Sequence, residues 1–270
     1  MTTPNNSSLL IVVPTFNSYL LLPKLLQSIK RQTLCSWRIL FVDGPSSPTH
    51  RTWLNQTCSE DPRCTWIPQD DISSGIFGAM NQGFSHARAS EWILFWGSDD
   101  WAASPNVFSH LIDLIHQTST DNAPPDLLVG LGRYADLSSL LLGRTSSFLP
   151  SSNLSSSTYR RALFLGSTPP HQATVFGPGA RGLLDSYDPD FRLAADLDFF
   201  LRLSQFSGLN IQTLNFEIVH MGIGGVSSKA TFRRLREVKK AYVRAFGYLW
   251  VIPFLTRYFR RLFGNLSLVF

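Results

Sequence analysis

The stretch Glu91-Trp-Ile-Leu-Phe-Trp-Gly-Ser-Asp-Asp-Trp101 runs apolar and then ends in two adjacent carboxylates, Asp99 and Asp100. An aromatic, β-branched run of this length predicts a buried strand. A strand that stops at Gly97 and then presents carboxylates sets oxygen ligands at the carboxyl end of a sheet, where open α/β sheets hold their ligands. Hard cations such as Mg²⁺ or Mn²⁺ take oxygen ligands and share them with substrate phosphates. The pair is therefore the candidate metal site. The same residues also suit a plain strand end before a helix, with Asp100 or Ser104 as the cap ahead of Pro105.

The surrounding elements must present that pair. Leu9-Leu-Ile-Val-Val13 predicts a buried first strand, Trp37 to Val42 a second, Cys64 to Pro68 a short third and Glu91 to Trp96 a fourth. Amphipathic spacing over Leu20–Ile29, a short run over Thr49–Gln56 and small residues over Gly75–Ala89 predict the helices between them. Strands alternating with helices at this spacing imply a doubly wound, mainly parallel α/β sheet. Beyond Trp101, Val107 to His116 is a predicted helix, and 126–134 and 139–149 are predicted β-structure. Thr174 to Phe176 is strand-like, and a helix starts near Ala194. The Ser-rich 151–158 is expected to be a surface loop, and Met221 to Ser228 a Gly-rich one.

Of 270 residues, 44% are hydrophobic and only 16% charged, enough for a sizeable core in one large domain. The net charge of +5 is concentrated in one place: residues 231–261 hold nine Arg or Lys and one acid, Glu237, and the rest is slightly acidic. This distribution predicts no nucleic-acid-binding body. Three cysteines without metal-type spacing predict free thiols in a reducing cytosol. No basic n-region and no run of about eighteen apolar residues predict neither a signal peptide nor a membrane span.

Several separate stretches, in order, resemble glycosyltransferase family 2 with the GT-A fold. Val13-Pro-Thr-Phe-Asn17 resembles the family's first strand end, Phe41-Val-Asp-Gly-Pro-Ser46 its second, and Gly75 to Gly83 the G-I-Y-D-A-M-N-K-G stretch of a bacterial polysaccharide subgroup. Ser98-Asp99-Asp100 stands at the D-x-D position. His171-Gln172, Ala194 to Phe199 and Gly224 to Ser227 resemble the acceptor half. Gly44, Gly78 and Ser98 depart from acids usual at those positions.

The resemblance implies a GT-A domain over 1–228, with a Rossmann-like nucleotide-sugar half at about 9–101 and an acceptor half at 102–228, followed by amphipathic helices over 229–270. It implies transfer, with inversion, from a nucleotide-diphosphate sugar, a UDP-sugar favoured, to a saccharide or lipid-linked acceptor. Mn²⁺ or Mg²⁺ is the expected cofactor, on Asp100 with Asp99. Asp196 is the expected general base. Asp198 lies roughly 200° around the helix, so only one of the two can face the site. Read without the resemblance, Asp196 better suits an acid stabilised by a helix N-terminus. Donor contacts are expected from Pro14, Thr15, Asn17, Asp43, Asp71, Asn81, Ser98 and Asp99. Thr15 and Asn17 equally suit a helix cap, Asp43 a turn, Asp71 a loop acid and Asn81 a packed amide. His171, Gln172, His220, Gly224 and Gly225 are acceptor-side or lid candidates, with His220 also a candidate metal ligand.

Two competing readings remain. A sugar-1-phosphate nucleotidyltransferase would want a Gly-rich basic loop after the first strand, and Pro14-Thr-Phe-Asn17 is not one. A degenerate, membrane-recruited nucleotide-sugar-binding protein would tolerate the three departures. The tail, which mixes Arg/Lys with Tyr, Trp and Phe, suits helices lying in a membrane interface. The expected location is the cytoplasmic face of the membrane, with the tail holding the protein there peripherally.

Overall fold

The computed structural model describes residues 7–70, 74–121, 124–137, 141–150, 152–223 and 231–263. In chain order the elements are β1 (Ser8–Thr15), α1 (Leu22–Lys30), β2 (Trp37–Asp43), α2 (Pro48–Glu60), β3 (Cys64–Pro68), α3 (Ile76–Ser85), β4 (Glu91–Phe95), β5 (Trp101–Ala102) and α4 (Val107–Asp121). Then follow β6 (Leu127–Ala135), β7 (Leu142–Ser146), β8 (Ser152–Leu154), α5 (Ser156–Phe164), β9 (Thr174–Phe176), α6 (Pro178–Leu183), α7 (Ala195–Leu203), β10 (Ile211–Gly222), α8 (Thr231–Phe246) and α9 (Val251–Phe263).

One sheet runs in the order β3-β2-β1-β4-β9-β6-β10-β5, with β7 added to β6 and β8 to β10. The strands β3, β2, β1 and β4 are parallel, each joined to the next by a helix. Beyond β4 the sheet is mixed: β9 is antiparallel to both its neighbours, while β10 is parallel to β6.

The continuous apolar runs follow from coverage on both faces. In β1, Leu10 and Val12 join one core with Ile93, Phe95 and residues of α3, α7 and α8, while Leu9, Ile11 and Val13 join the other with α1, α2 and α4. This is the period of two that sends neighbouring side chains to opposite faces. Helix α3 rides unusually close to β1, since a Cβ at Gly83 would stand 2.5 Å from Val12 Cγ1.

The first four strands match their expected positions within two residues. The chain after Trp101 differs more. The Ser-rich stretch is not simply a surface loop: its described part supplies β8 and Ser155, which caps α5 by accepting from the Thr158 N–H at 3.2 Å. The strand β10 lacks a clean alternation, because its register against β6 shifts between Thr213 and Glu217 and again between Glu217 and Val219. The tail is only partly a free appendage. Val238, Ala241 and Tyr242 of α8 are fully buried in the core, and Trp250, Phe254 and Tyr258 pack against it.

Candidate active site

Strands β2, β1 and β4 are sheet neighbours, so their carboxyl ends form one continuous edge. Asp43 is 1% exposed there. Its carboxylate accepts from Thr15 Oγ1 at 3.0 Å, Ser46 Oγ at 2.6 Å and Arg51 Nε at 3.3 Å, with His50 Nε2 at 3.1 Å. Asn17 takes a left-handed φ of 49°, which Asn tolerates better than most residues. It does not cap α1, whose cap position is Leu21. Instead its N–H donates to Ser46 Oγ and its Oδ1 accepts from the Ser47 N–H, tying the two loops together. Ser98, at the first D-x-D position, donates to the Pro14 carbonyl at 3.2 Å and shares a 2.8 Å bond with Ser18. The edge is thus braced by its own polar side chains.

Asp99 and Asp100 follow β4 directly and converge. A Cβ built on Gly97 would lie 2.7 Å from Asp99 Oδ1 and 3.2 Å from Asp100 Oδ2, and one on Gly222 would lie 2.8 Å from Asp99 Oδ2. Both glycines leave room for the carboxylates. Asp100 is 3% exposed and accepts from the Gly97 N–H at 2.6 Å. Burial, reinforced by the charge of Asp99, pushes its pKa up to about 8, against the pull of the Gly97 and Gly222 N–H groups. Burial also raises Asp99. Two converging carboxylates that repel one another are a pair of hard oxygen donors. That fits a divalent cation whose remaining ligands come from phosphate and water. Among the described residues, no group of three or more His, Cys, Asp or Glu side chains surrounds a common centre.

Beyond the sheet edge, α7 separates its two acids as the helical period requires. Asp198 is buried and paired with Arg202 at 2.8 Å and Arg244 at 3.0 Å. Asp196 instead lines a cavity of about 490 Å³, together with His171, Gln172 and Met221. His171 is buried among Phe95, Phe176 and Phe200, with Nε2 2.6 Å from the Tyr187 hydroxyl. Burial lowers its pKa to about 4, and the nearby Asp196 opposes this only in part. Tyr187 is held well above its usual value, chiefly by burial, so both groups stay neutral. The Gln172 carbonyl accepts from Trp96 Nε1 at 3.0 Å and so ties the cavity wall to the end of β4.

Other candidates are drawn into structural bonds. The Asn81 amide donates to the Tyr187 carbonyl and accepts from its N–H, the packed-amide alternative. His220 packs edge-on against Trp101 and pairs with Glu217 at 3.1 Å. Burial pushes the Glu217 carboxyl up, but Arg133 and His220 outweigh it and hold it below the usual range. Asp71, Gly224 and Gly225 lie outside the described residues. The cavity also holds side chains the sequence did not single out for the site: Arg144, Arg234, Arg257 and Arg260. Arg144 carried no signal in the sequence, and the other three read as cations of the basic tail.

Residues 10–133 match the family model described as glycosyl transferase family 2. Over that stretch, just under half of its length, the chain is similar to the family. A PGL/p-HBAD biosynthesis glycosyltransferase of Mycobacterium bovis is 27% identical over 223 residues, spanning 81% of this chain and 78% of that one. Among solved structures, Staphylococcus aureus TarS 1–349 in complex with UDP-GlcNAc superposes with a TM-score of 0.68 at 17% identity, over 96% of this chain and 76% of that one. The mannosyltransferase PcManGT of Pyrobaculum calidifontis, in complex with GDP-Man and Mn²⁺, superposes with a TM-score of 0.60 at 15% identity, again over 96% and 76%. The superpositions show a GT-A fold, and the match with glycosyltransferase relatives gives glycosyl transfer as the class of activity.

Proposed function

We propose that this glycosyltransferase moves a sugar, with inversion, from a UDP-sugar to a saccharide acceptor carried on or near a membrane. The observation that carries this reading is the pair Asp99–Asp100 at the end of β4, joined through Trp96 and Gln172 to the cavity that Asp196 lines. Asp43, Thr15, Asn17 and Ser98 shape the edge that would seat the nucleoside diphosphate. Asp99 and Asp100 would hold Mg²⁺ or Mn²⁺, which supplies Lewis-acid neutralisation of the departing diphosphate when bound. Asp196 takes the proton from the acceptor hydroxyl as its oxygen attacks the anomeric carbon. The bond from that carbon to the phosphate oxygen breaks, and its electron pair leaves with the UDP.

The tail supports membrane proximity in a narrower way than its composition implies. Arg233, Lys240 and Arg244 are paired with Glu237, Asp190 and Asp188, so they are not free for anionic lipid. What remains is the exposed pair of cations Arg236 and Lys239, over the Phe232 and Trp250 rings, and an apolar face on α9 and the turn before it. Leu249, Val251, Ile252, Leu255 and Phe259 are exposed, and Tyr248 is 100% exposed. No helix among the described residues is long and apolar enough to cross a membrane.

A panel of nucleotide sugars tests the activity by UDP release with and without Mn²⁺. The expected result is one preferred UDP-sugar, Mn²⁺-dependent release, and loss of both release and Mn²⁺-induced thermal protection in Asp100→Ala. Undiminished release by Asp100→Ala would overturn the metal assignment. No release with any donor would favour a binding protein without turnover.

A further inference from the structure

The cavity that Asp196 lines holds more positive charge than anything around it answers. Arg144 comes from β7, Arg234 from α8, and Arg257 and Arg260 from α9, and Asp196 is the sole carboxylate in the wall. No described carboxylate pairs with any of the four. Arg257 is the decisive residue. It is only 7% exposed, its Nε has no hydrogen-bond partner, and one guanidinium nitrogen donates to Thr168 Oγ1. Its position is fixed by backbone packing. Gly166 takes a φ of +80°, and a Cβ there would lie 2.5 Å from the Arg257 backbone nitrogen. Helix α9 is thus seated so that a buried guanidinium faces the cavity without a counter-ion.

Burying an unpaired charge is costly. The opposite charge is then expected from whatever fills the cavity. Planar guanidinium forks match phosphate oxygens in pairs. Four of them, with Ser146 two residues along β7 from Arg144 in the same wall, suit a group with several oxygens and more than one negative charge. The residues that brace the donor edge, Thr15, Asp43 and Ser98, are not in this wall. The candidate base is. A base must reach the acceptor hydroxyl, so the cavity it lines belongs to the acceptor.

We infer that the acceptor carries a phosphoryl group, bound by Arg144, Arg234, Arg257 and Arg260 beside Asp196. This rests on the assignment of the acceptor to the Asp196 side. The phosphate could belong to a lipid phosphate or to a soluble sugar phosphate. The reaction that supplies this acceptor is then a phosphorylation or a phosphosugar transfer.

The test is titration calorimetry on the full chain saturated with UDP, using inorganic phosphate and, separately, dodecyl phosphate below its micelle threshold, at constant ionic strength set with NaCl. Phosphate should bind with UDP in place, and the double variant Arg234→Gln/Arg260→Gln should weaken it at least about tenfold, since charge-assisted hydrogen bonds are lost. These two side chains are half-buried and unpaired, so folding should survive; Arg257→Gln gives a second reading at the buried position. Tighter binding of dodecyl phosphate would identify a lipid source, and equal binding a soluble one; both support the inference. Phosphate affinity unchanged in the double variant would overturn it. Displacement of phosphate by UDP would also overturn it, because the cavity would then be the donor's diphosphate site. Absence of UDP binding would instead contradict the donor assignment, which is read in its own titration.

Discussion

At the ends of β1 and β2, Asp43 meets Thr15, Ser46, His50 and Arg51, so its charge is answered from within the chain. In the Asp196 cavity, four arginines face one carboxylate, and the buried Arg257 keeps an unpartnered Nε. The charge of Asp43 in the first region is answered before any ligand arrives. The second is left open on the cationic side. Rigid, self-satisfied side chains position a ligand at little reorganisation cost, whereas unsatisfied ones supply binding energy directly. Substitutions should therefore act differently in the two regions: on stability at the donor edge, on acceptor binding in the cavity.

The largest expected effect is at Asp43. Asp43→Ala removes the acceptor for three hydrogen-bonding side chains and should cost about 3 kcal/mol of stability or more, as when one partner of a buried pair is removed. Urea unfolding reads this directly, and an unchanged midpoint would break the comparison. His171 tests the seam between the regions. Its folded pKa of about 4 lies below the ordinary 6.5, so the unfolded chain binds the extra proton first as pH falls. The neutral ring's contribution is fully present above pH 6.5 and lost between 6.5 and 4, a change of about 3 kcal/mol at most. His171→Gln should flatten that part of the stability–pH curve, and an identical slope in the variant would sink the assignment. The smallest effects belong to the exposed apolar face of α9. Leu255→Ser with Phe259→Ser should shift stability by less than about 0.5 kcal/mol, the range for surface changes. The same change should reduce co-sedimentation with phosphatidylglycerol vesicles, with weak dependence on salt.

Much of the β1–β4 half of the sheet was legible in the sequence because parallel strands covered on both faces are continuous apolar runs, and each ended in a polar or Gly/Pro cluster. Asp43, Asp99 and Asp100 stand at those ends, and Asp196 and Asp198 separate as the helical period demands. The rest depended on long-range packing. Nothing near Asn81 in the chain announces Tyr187, 106 residues away, which occupies its amide. Nothing local marks Gly166 as the seat of α9. The basic tail read as a membrane-facing surface, but Arg257 is buried and Arg234 and Arg260 line the cavity, because α8 and α9 fold back on α7 and α5. Composition reports how many charges a segment carries, and only the tertiary fold decides which way they face.

The most direct test of the central claim compares Asp196→Asn with Asp198→Asn, using the donor and acceptor pair that the UDP-release panel identifies. Asp196→Asn should keep UDP affinity and the unfolding midpoint while turnover falls at least about 10²-fold, the low end for loss of a general base. Asp198→Asn should retain turnover and instead lose stability, through its bonds to Arg202 and Arg244. Full turnover by Asp196→Asn, or collapse of turnover in a stably folded Asp198→Asn, would contradict the account.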